Sequence, residues 1–181
     1  MDWSCRCGAF QADVDTERGI RAVCYCKSCR EFALKTGATD ALDAAGGSDL
    51  YQVAPQEMRV VQGADRLAWM RLTDKGPLRW FTTCCGTPVA NTLGTRKIPF
   101  VTLQSHRFAT PDRLEPITVR VFRRDATARA PDGGAGAGAL YRNFAARMLR
   151  SWISGGWRRN PFFTDDGKPV APRQDPTAST G

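Results

Sequence analysis

The chain has 181 residues and a net charge of +8, with 42% hydrophobic and 24% charged residues. These values fit a globular protein and exclude a fibrous repeat, global disorder and, for want of about 18 consecutive apolar residues, a membrane span. The charge is uneven, because residues 120–181 hold 11 Lys+Arg against 5 Asp+Glu, so the basic excess belongs to the C-terminal region.

The start, Met1-Asp2-Trp3-Ser4, lacks the charged and apolar segments of a secretory signal, so a cytoplasmic, reducing location is expected. Gly8 to Val14 alternates apolar and polar residues, the period-2 mark of a half-buried strand. Further strands are expected at Ile20–Cys24, Leu50–Val53, Met58–Val61 and Leu67–Leu72. Thr73-Asp74-Lys75-Gly76 is a turn, and Leu78–Thr82 returns as a strand that delivers Cys84 and Cys85. Pro99–Leu103 and Ile117–Phe122 complete the β pattern. One short helix is expected at Arg30–Lys35.

Residues 1–125 therefore form a β-rich domain. Residues 126–139 contain Pro131-Asp132-Gly133-Gly134-Ala135-Gly136-Ala137-Gly138, a flexible linker by composition. Leu140–Ile153 is an amphipathic helix whose apolar face carries Leu140, Tyr141, Phe144, Met148, Leu149, Trp152 and Ile153. That face is expected to pack on the β-domain, and membrane contact is not. An extended arm to residue 170, with Pro161-Phe162-Phe163 as an apolar anchor, and a disordered tail over 171–181 close the chain.

Seven cysteines in a reducing compartment favour metal or redox chemistry over disulfides. They fall into three groups: Cys5 and Cys7; Cys24, Cys26 and Cys29; Cys84 and Cys85. Zinc takes four thiolates in a closed structural site and three protein ligands in an open one. The middle group offers three from one turn, and one more cysteine such as Cys84 would close it. Lys27 and Arg30 stand beside this group and are candidates to favour thiolate and hold an anionic substrate. A vicinal Cys84–Cys85 disulfide is the redox alternative. His106, the one histidine, has a surface role or a site role open to it. Trp80 and Phe81 read as core. Paired carboxylates, a Ser-His-Asp set, a phosphate loop and a strong nucleic-acid signature are all absent.

The series Cys5-Arg6-Cys7-Gly8, Cys24-x-Cys26-x-x-Cys29-Arg30 and Cys85-Gly86-Thr87-Pro88 resembles the glutathione-dependent formaldehyde-activating enzymes, a family related to centromere protein V. The likeness covers about residues 1–122. It implies a mostly β, Mss4-like β-tent of antiparallel sheets with zinc-binding cysteine turns, to which this chain adds the C-terminal helix. It also implies two zinc sites, with Cys5, Cys7 and Cys85 structural and Cys24, Cys26 and Cys29 open, and one or two zinc ions per chain are expected here. The activity implied is that of a carbon–sulfur lyase on glutathione or another thiol–aldehyde adduct, the alternative being a zinc-stapled binding module. Two positions depart from the pattern: Thr82 stands where the first cysteine of the last group would be, and Tyr25 where a histidine is frequent. At the first departure, Cys84 supplies the missing ligand or the site is left with three thiolates or none.

Overall fold

In a computed structural model, which describes residues 1–175, ten strands form two sheets and two α-helices flank them. The strands are β1 (Asp2–Ser4), β2 (Gln11–Val14), β3 (Ile20–Cys24), β4 (Ser48–Val53), β5 (Met58–Gln62), β6 (Leu67–Met70), β7 (Leu78–Thr82), β8 (Pro88–Thr92), β9 (Val101–Gln104) and β10 (Val119–Val121). The helices are α1 (Lys27–Lys35) and α2 (Ala137–Ile153). The small sheet has the order β1-β2-β5 and the large one β10-β3-β4-β9-β8-β7-β6. All pairings are antiparallel except that of β10 with β3.

The mostly β architecture with a C-terminal helix agrees with expectation, and two strands go beyond it. β8 (Pro-Val-Ala-Asn-Thr) is buried along its whole length, so it shows no polar–apolar alternation. Its proline sits at the first strand position, where the missing N–H is tolerated. β1 is only three residues long, below what a periodicity window detects.

The main core lies between the sheets. The small sheet contributes Trp3, Ala12 and Val14, the large sheet Tyr51, Val53, Trp80, Ala90, Val101 and Leu103. Side chains alternate faces along a strand, so Leu50, Gln52, Arg79, Asn91 and Thr102 face the other way. Under α1 that second face is apolar, with Phe32 against Ala68, Met70 and Phe81.

The C-terminal arm is part of the core. Phe162 is fully buried, with its ring centroid 4.9 Å from that of Trp80. The expected linker is also engaged: the Thr127 N–H donates to the Ala45 carbonyl, and Ala135 exchanges backbone hydrogen bonds with the β10 segment. Of the expected disordered tail, 171–181, the first part lines up with β6. There the Trp69 N–H donates to the Pro172 carbonyl, and the Gln174 N–H to the Trp69 carbonyl. Residues 176–181 lie outside the described residues.

Helix α2 is rotated relative to its expected face. Leu140, Phe144, Arg147, Met148 and Ser151 turn inward, while Tyr141, Leu149, Trp152 and Ile153 are exposed. Polar tethers set this rotation: Arg147 Nη1 donates to the Gln52 carbonyl at 2.6 Å, and Ser151 Oγ to Gln56 Oε1 at 2.9 Å. Four arginines lie over aromatic faces, Arg96 and Arg158 over Trp157 and Arg71 and Arg173 over Trp69. No helix among the described residues is long and apolar enough to cross a membrane.

Candidate metal centres

Two sulfur clusters form: the two ends of the cysteine series meet in one, and the middle group makes the other. Cys5, Cys7, Cys84 and Cys85 converge, as do Cys24, Cys26 and Cys29, with the sulfurs of each group within 4.8 Å of one another. Every one of these cysteines is free.

The four-sulfur cluster is built by two tight turns, one before β2 and one between β7 and β8. In the first, the Gly8 N–H donates to the Cys5 carbonyl; in the second, the Gly86 N–H donates to the Thr82 carbonyl. Gly86 has φ +69°, and a Cβ there would meet the Thr36 carbonyl oxygen at 2.7 Å. Both conditions demand glycine. Gly86→Ala is expected to lower stability by about 1–2 kcal/mol, read as a shifted urea midpoint.

Within the cluster the sulfur separations are 3.6 Å for Cys5–Cys7, 4.0 Å for Cys5–Cys84, 3.3 Å for Cys7–Cys84 and 3.8 Å for Cys84–Cys85. A tetrahedral zinc with bonds of about 2.3 Å requires edges of about 3.8 Å, so these residues fit the ion. Cys84 thus joins Cys5, Cys7 and Cys85, and the Thr82 hydroxyl lies 3.3 Å from Cys85 Sγ. Burial raises the Cys85 thiol, but hydrogen bonds from Thr82 and Thr87 outweigh it and bring the pKa down to about 5. Burial and the Cys7 contact push Cys84 up to about 12.

The three-sulfur cluster sits where β3 ends and α1 begins. Cys26 is the N-cap of α1, and its Sγ accepts from the Cys29 N–H at 3.3 Å. Hydrogen bonds from Cys24 and Cys29 lower its pKa to about 2. A thiolate is therefore favoured at the helix N-terminus. Cys24 and Cys29 are buried, and no fourth cysteine, histidine or carboxylate joins them among the described residues. Three soft donors also fit zinc, as an open set.

The cation at this cluster is Arg79, which the sequence reading passed over. Only 4% exposed, it donates through Nη1 to Cys29 Sγ at 3.5 Å and to Asn91 Oδ1 at 2.8 Å, and through Nη2 to Ser28 Oγ at 2.6 Å. Its guanidinium also stacks over Phe32 at 5.6 Å. The signal was one charged residue inside the apolar run Leu78-Arg79-Trp80-Phe81, because a charge is retained in a buried strand only where it is paired.

The two charged residues expected beside the cluster are placed otherwise. Lys27 is exposed, and Arg30 spends its Nη1 on the carbonyls of Tyr25 and Asp125. His106 belongs to neither cluster and lies 3.9 Å from Asp40.

Cys24 and Cys29 form part of the wall of a cavity of about 240 Å³, whose other lining includes Leu50, Phe100, Val121 and Leu140. Lys27 and Arg30 do not line it; Arg79 does.

Over residues 1–174 the sequence matches the model of a family of unknown function, DUF6151. The chain belongs to that family. The match runs through α2 and the C-terminal arm of this DUF6151 chain, the segments whose Phe162 and Phe163 complete the core. Comparison with the curated proteins finds no match. Among solved structures, a structural-genomics protein from Rhodobacter sphaeroides is similar at 20% identity. The alignment covers 64% of this chain and 92% of that one with a TM-score of 0.43, a level that supports no functional argument.

Proposed function

We propose that this chain is a cytoplasmic zinc protein akin to the glutathione-dependent formaldehyde-activating enzymes. In this reading it is a carbon–sulfur lyase acting on glutathione or another thiol–aldehyde adduct. The observation that carries the reading is the three-sulfur cluster opening on a cavity, beside a separate four-sulfur cluster. Four thiolates saturate a tetrahedral ion, whereas three leave one position for a guest. Zinc held by Cys24, Cys26 and Cys29 would supply a Lewis acid with room for a substrate thiolate.

The chain's own residues prepare that place. Cys26, capping α1, presents a thiolate, and Arg79 sets a fixed positive charge against Cys29. Three thiolates and a divalent ion sum to one negative charge, which Arg79 balances in a site shielded from water. The largely apolar wall lowers the local polarity around the reacting pair. In the synthetic direction the thiol sulfur bonds to the carbonyl carbon and the thiol proton ends on the carbonyl oxygen. The reverse reaction breaks that bond and returns the proton to sulfur.

The test is Cys26→Ser. Metal analysis should find two zinc ions in the parent and one in the variant, with the circular dichroism and melting profile of the fold retained. Cobalt substituted at the remaining four-sulfur site should then give a visible spectrum that no longer responds to added thiol. Global unfolding of Cys26→Ser would make the middle cluster structural and favour the zinc-stapled binding module.

A further inference from the structure

On the outward face of the large sheet, four polar side chains stand in one row across four strands. Gln52 of β4 is opposite Thr102 of β9, Thr102 opposite Asn91 of β8, and Asn91 opposite Arg79 of β7. All four are buried, with exposures of 2%, 7%, 5% and 4%. Arg79 donates to Asn91, and Asn91 Nδ2 donates to Thr102 Oγ1 at 2.9 Å. The row ends at Gln52, whose Oε1 has no hydrogen-bond partner among the described residues. A buried acceptor left unpaired costs about 1–3 kcal/mol, and such groups in native structures call for an unseen donor.

This row is the floor of the cavity that Cys24 and Cys29 border. The rest of the lining is aliphatic and aromatic, including Pro77, Leu93 and Phe122. Phe122 is the one non-glycine residue with positive φ among the described residues, at 56°, and the residue is 56% exposed. A left-handed aromatic residue is strained by about 1–2 kcal/mol. Such strain concentrates where a side chain is held for a task.

We propose that this cavity binds a compact, uncharged, apolar molecule carrying one hydroxyl, and that the side-chain amide of Gln52 hydrogen-bonds to that hydroxyl. The inference rests on the thiol–aldehyde reading and narrows it, since the adduct of a thiol with an aldehyde carries such a hydroxyl on the carbon next to sulfur. The substituents it favours are short alkyl or single aryl groups. An apolar cavity of about 150 Å³ already holds benzene, so about 240 Å³ accommodates an aryl ring with a short polar arm. Glutathione fits this lining poorly. It brings two carboxylates and an ammonium group, while Arg79 is the only charged residue in the cavity wall among the described residues and both its Nη atoms are already engaged. Stripping water from unpaired charges is prohibitive.

The experiment uses zinc-loaded full-length protein and follows amide shifts by NMR during titration with benzyl alcohol, toluene and glutathione. Benzyl alcohol contains no sulfur, so its binding reports the cavity independently of any lyase chemistry. It is expected to shift residues of β4, β8 and β9, and glutathione is expected not to displace it. Gln52→Leu should weaken benzyl alcohol up to about tenfold, the loss of one hydrogen bond, and leave toluene unchanged. Leu140→Trp, which fills the cavity from α2, should abolish both without altering the zinc count. Displacement by glutathione, or equal affinity of parent and Gln52→Leu for benzyl alcohol, would overturn the proposal. If benzyl alcohol binds as expected while the cobalt spectrum ignores benzyl mercaptan, the cavity assignment stands and the lyase reading fails.

Discussion

Cys5→Ser is expected to leave the chain largely unfolded at 25 °C under the proposed zinc assignment. Cys5 is 3% exposed and accepts the Phe10 N–H at 3.3 Å, so its sulfur joins the metal cluster to the core between the sheets. Structural zinc contributes about 10–16 kcal/mol of binding in small zinc domains, and a domain of this kind has a net stability of about 5–15 kcal/mol. Losing half of the metal term, about 5–8 kcal/mol, equals the whole net stability at the lower end of that range. The expected readings are loss of near-ultraviolet dichroism, a zinc content reduced by at least one ion, and rapid proteolysis. A melting temperature and zinc content equal to the parent's would show that the four sulfurs bind no structural ion. The contrast with Cys26→Ser, which should stay folded, separates the two clusters.

Arg79→Ala should cost about 3 kcal/mol, seen as a lower urea midpoint with an unchanged slope. The guanidinium serves Cys29, Asn91 and Ser28 at once, and its removal strands buried polar groups and opens a void under Phe32. It should also weaken metal at the three-sulfur cluster, because the net negative charge there loses its counter-charge. Arg79→Lys is the informative control. It keeps the charge but lacks the planar fork that spans several partners, so metal should be largely retained while part of the stability is lost. If Arg79→Ala matched the parent in both urea midpoint and zinc retention, Arg79 would have no part in the site.

The β3 and β7 limits, Ile20–Cys24 and Leu78–Thr82, were legible because β-branched and aromatic residues end there at turn chemistry. β8 was not, because a strand buried on both faces carries no alternation and begins with proline. The rotation of α2 escaped for a different reason. Hydrophobic periodicity ranks Tyr141, Leu149 and Ile153 as inward, yet Arg147 and Ser151 find backbone and side-chain partners on β4 and its following turn. A hydrogen bond made 95 residues away in sequence leaves no local trace.

Sequence alone settled which atoms can meet a metal: three groups of cysteine at tight spacing, with glycine after Cys7 and Cys85 where the chain must turn sharply. It also settled the β-rich body, since period-2 hydrophobicity is a local property of the chain. Only the tertiary structure decided that Cys84 joins Cys5, Cys7 and Cys85 and that the middle three stand alone among the described residues. It also decided that Arg79, and not Lys27 or Arg30, faces the three. The division depends on which strand ends lie side by side, and burial of Arg79 depends on four strands stacking Gln52, Thr102, Asn91 and Arg79 in register. Such neighbours are made by long-range pairing, which residue spacing within one segment does not encode.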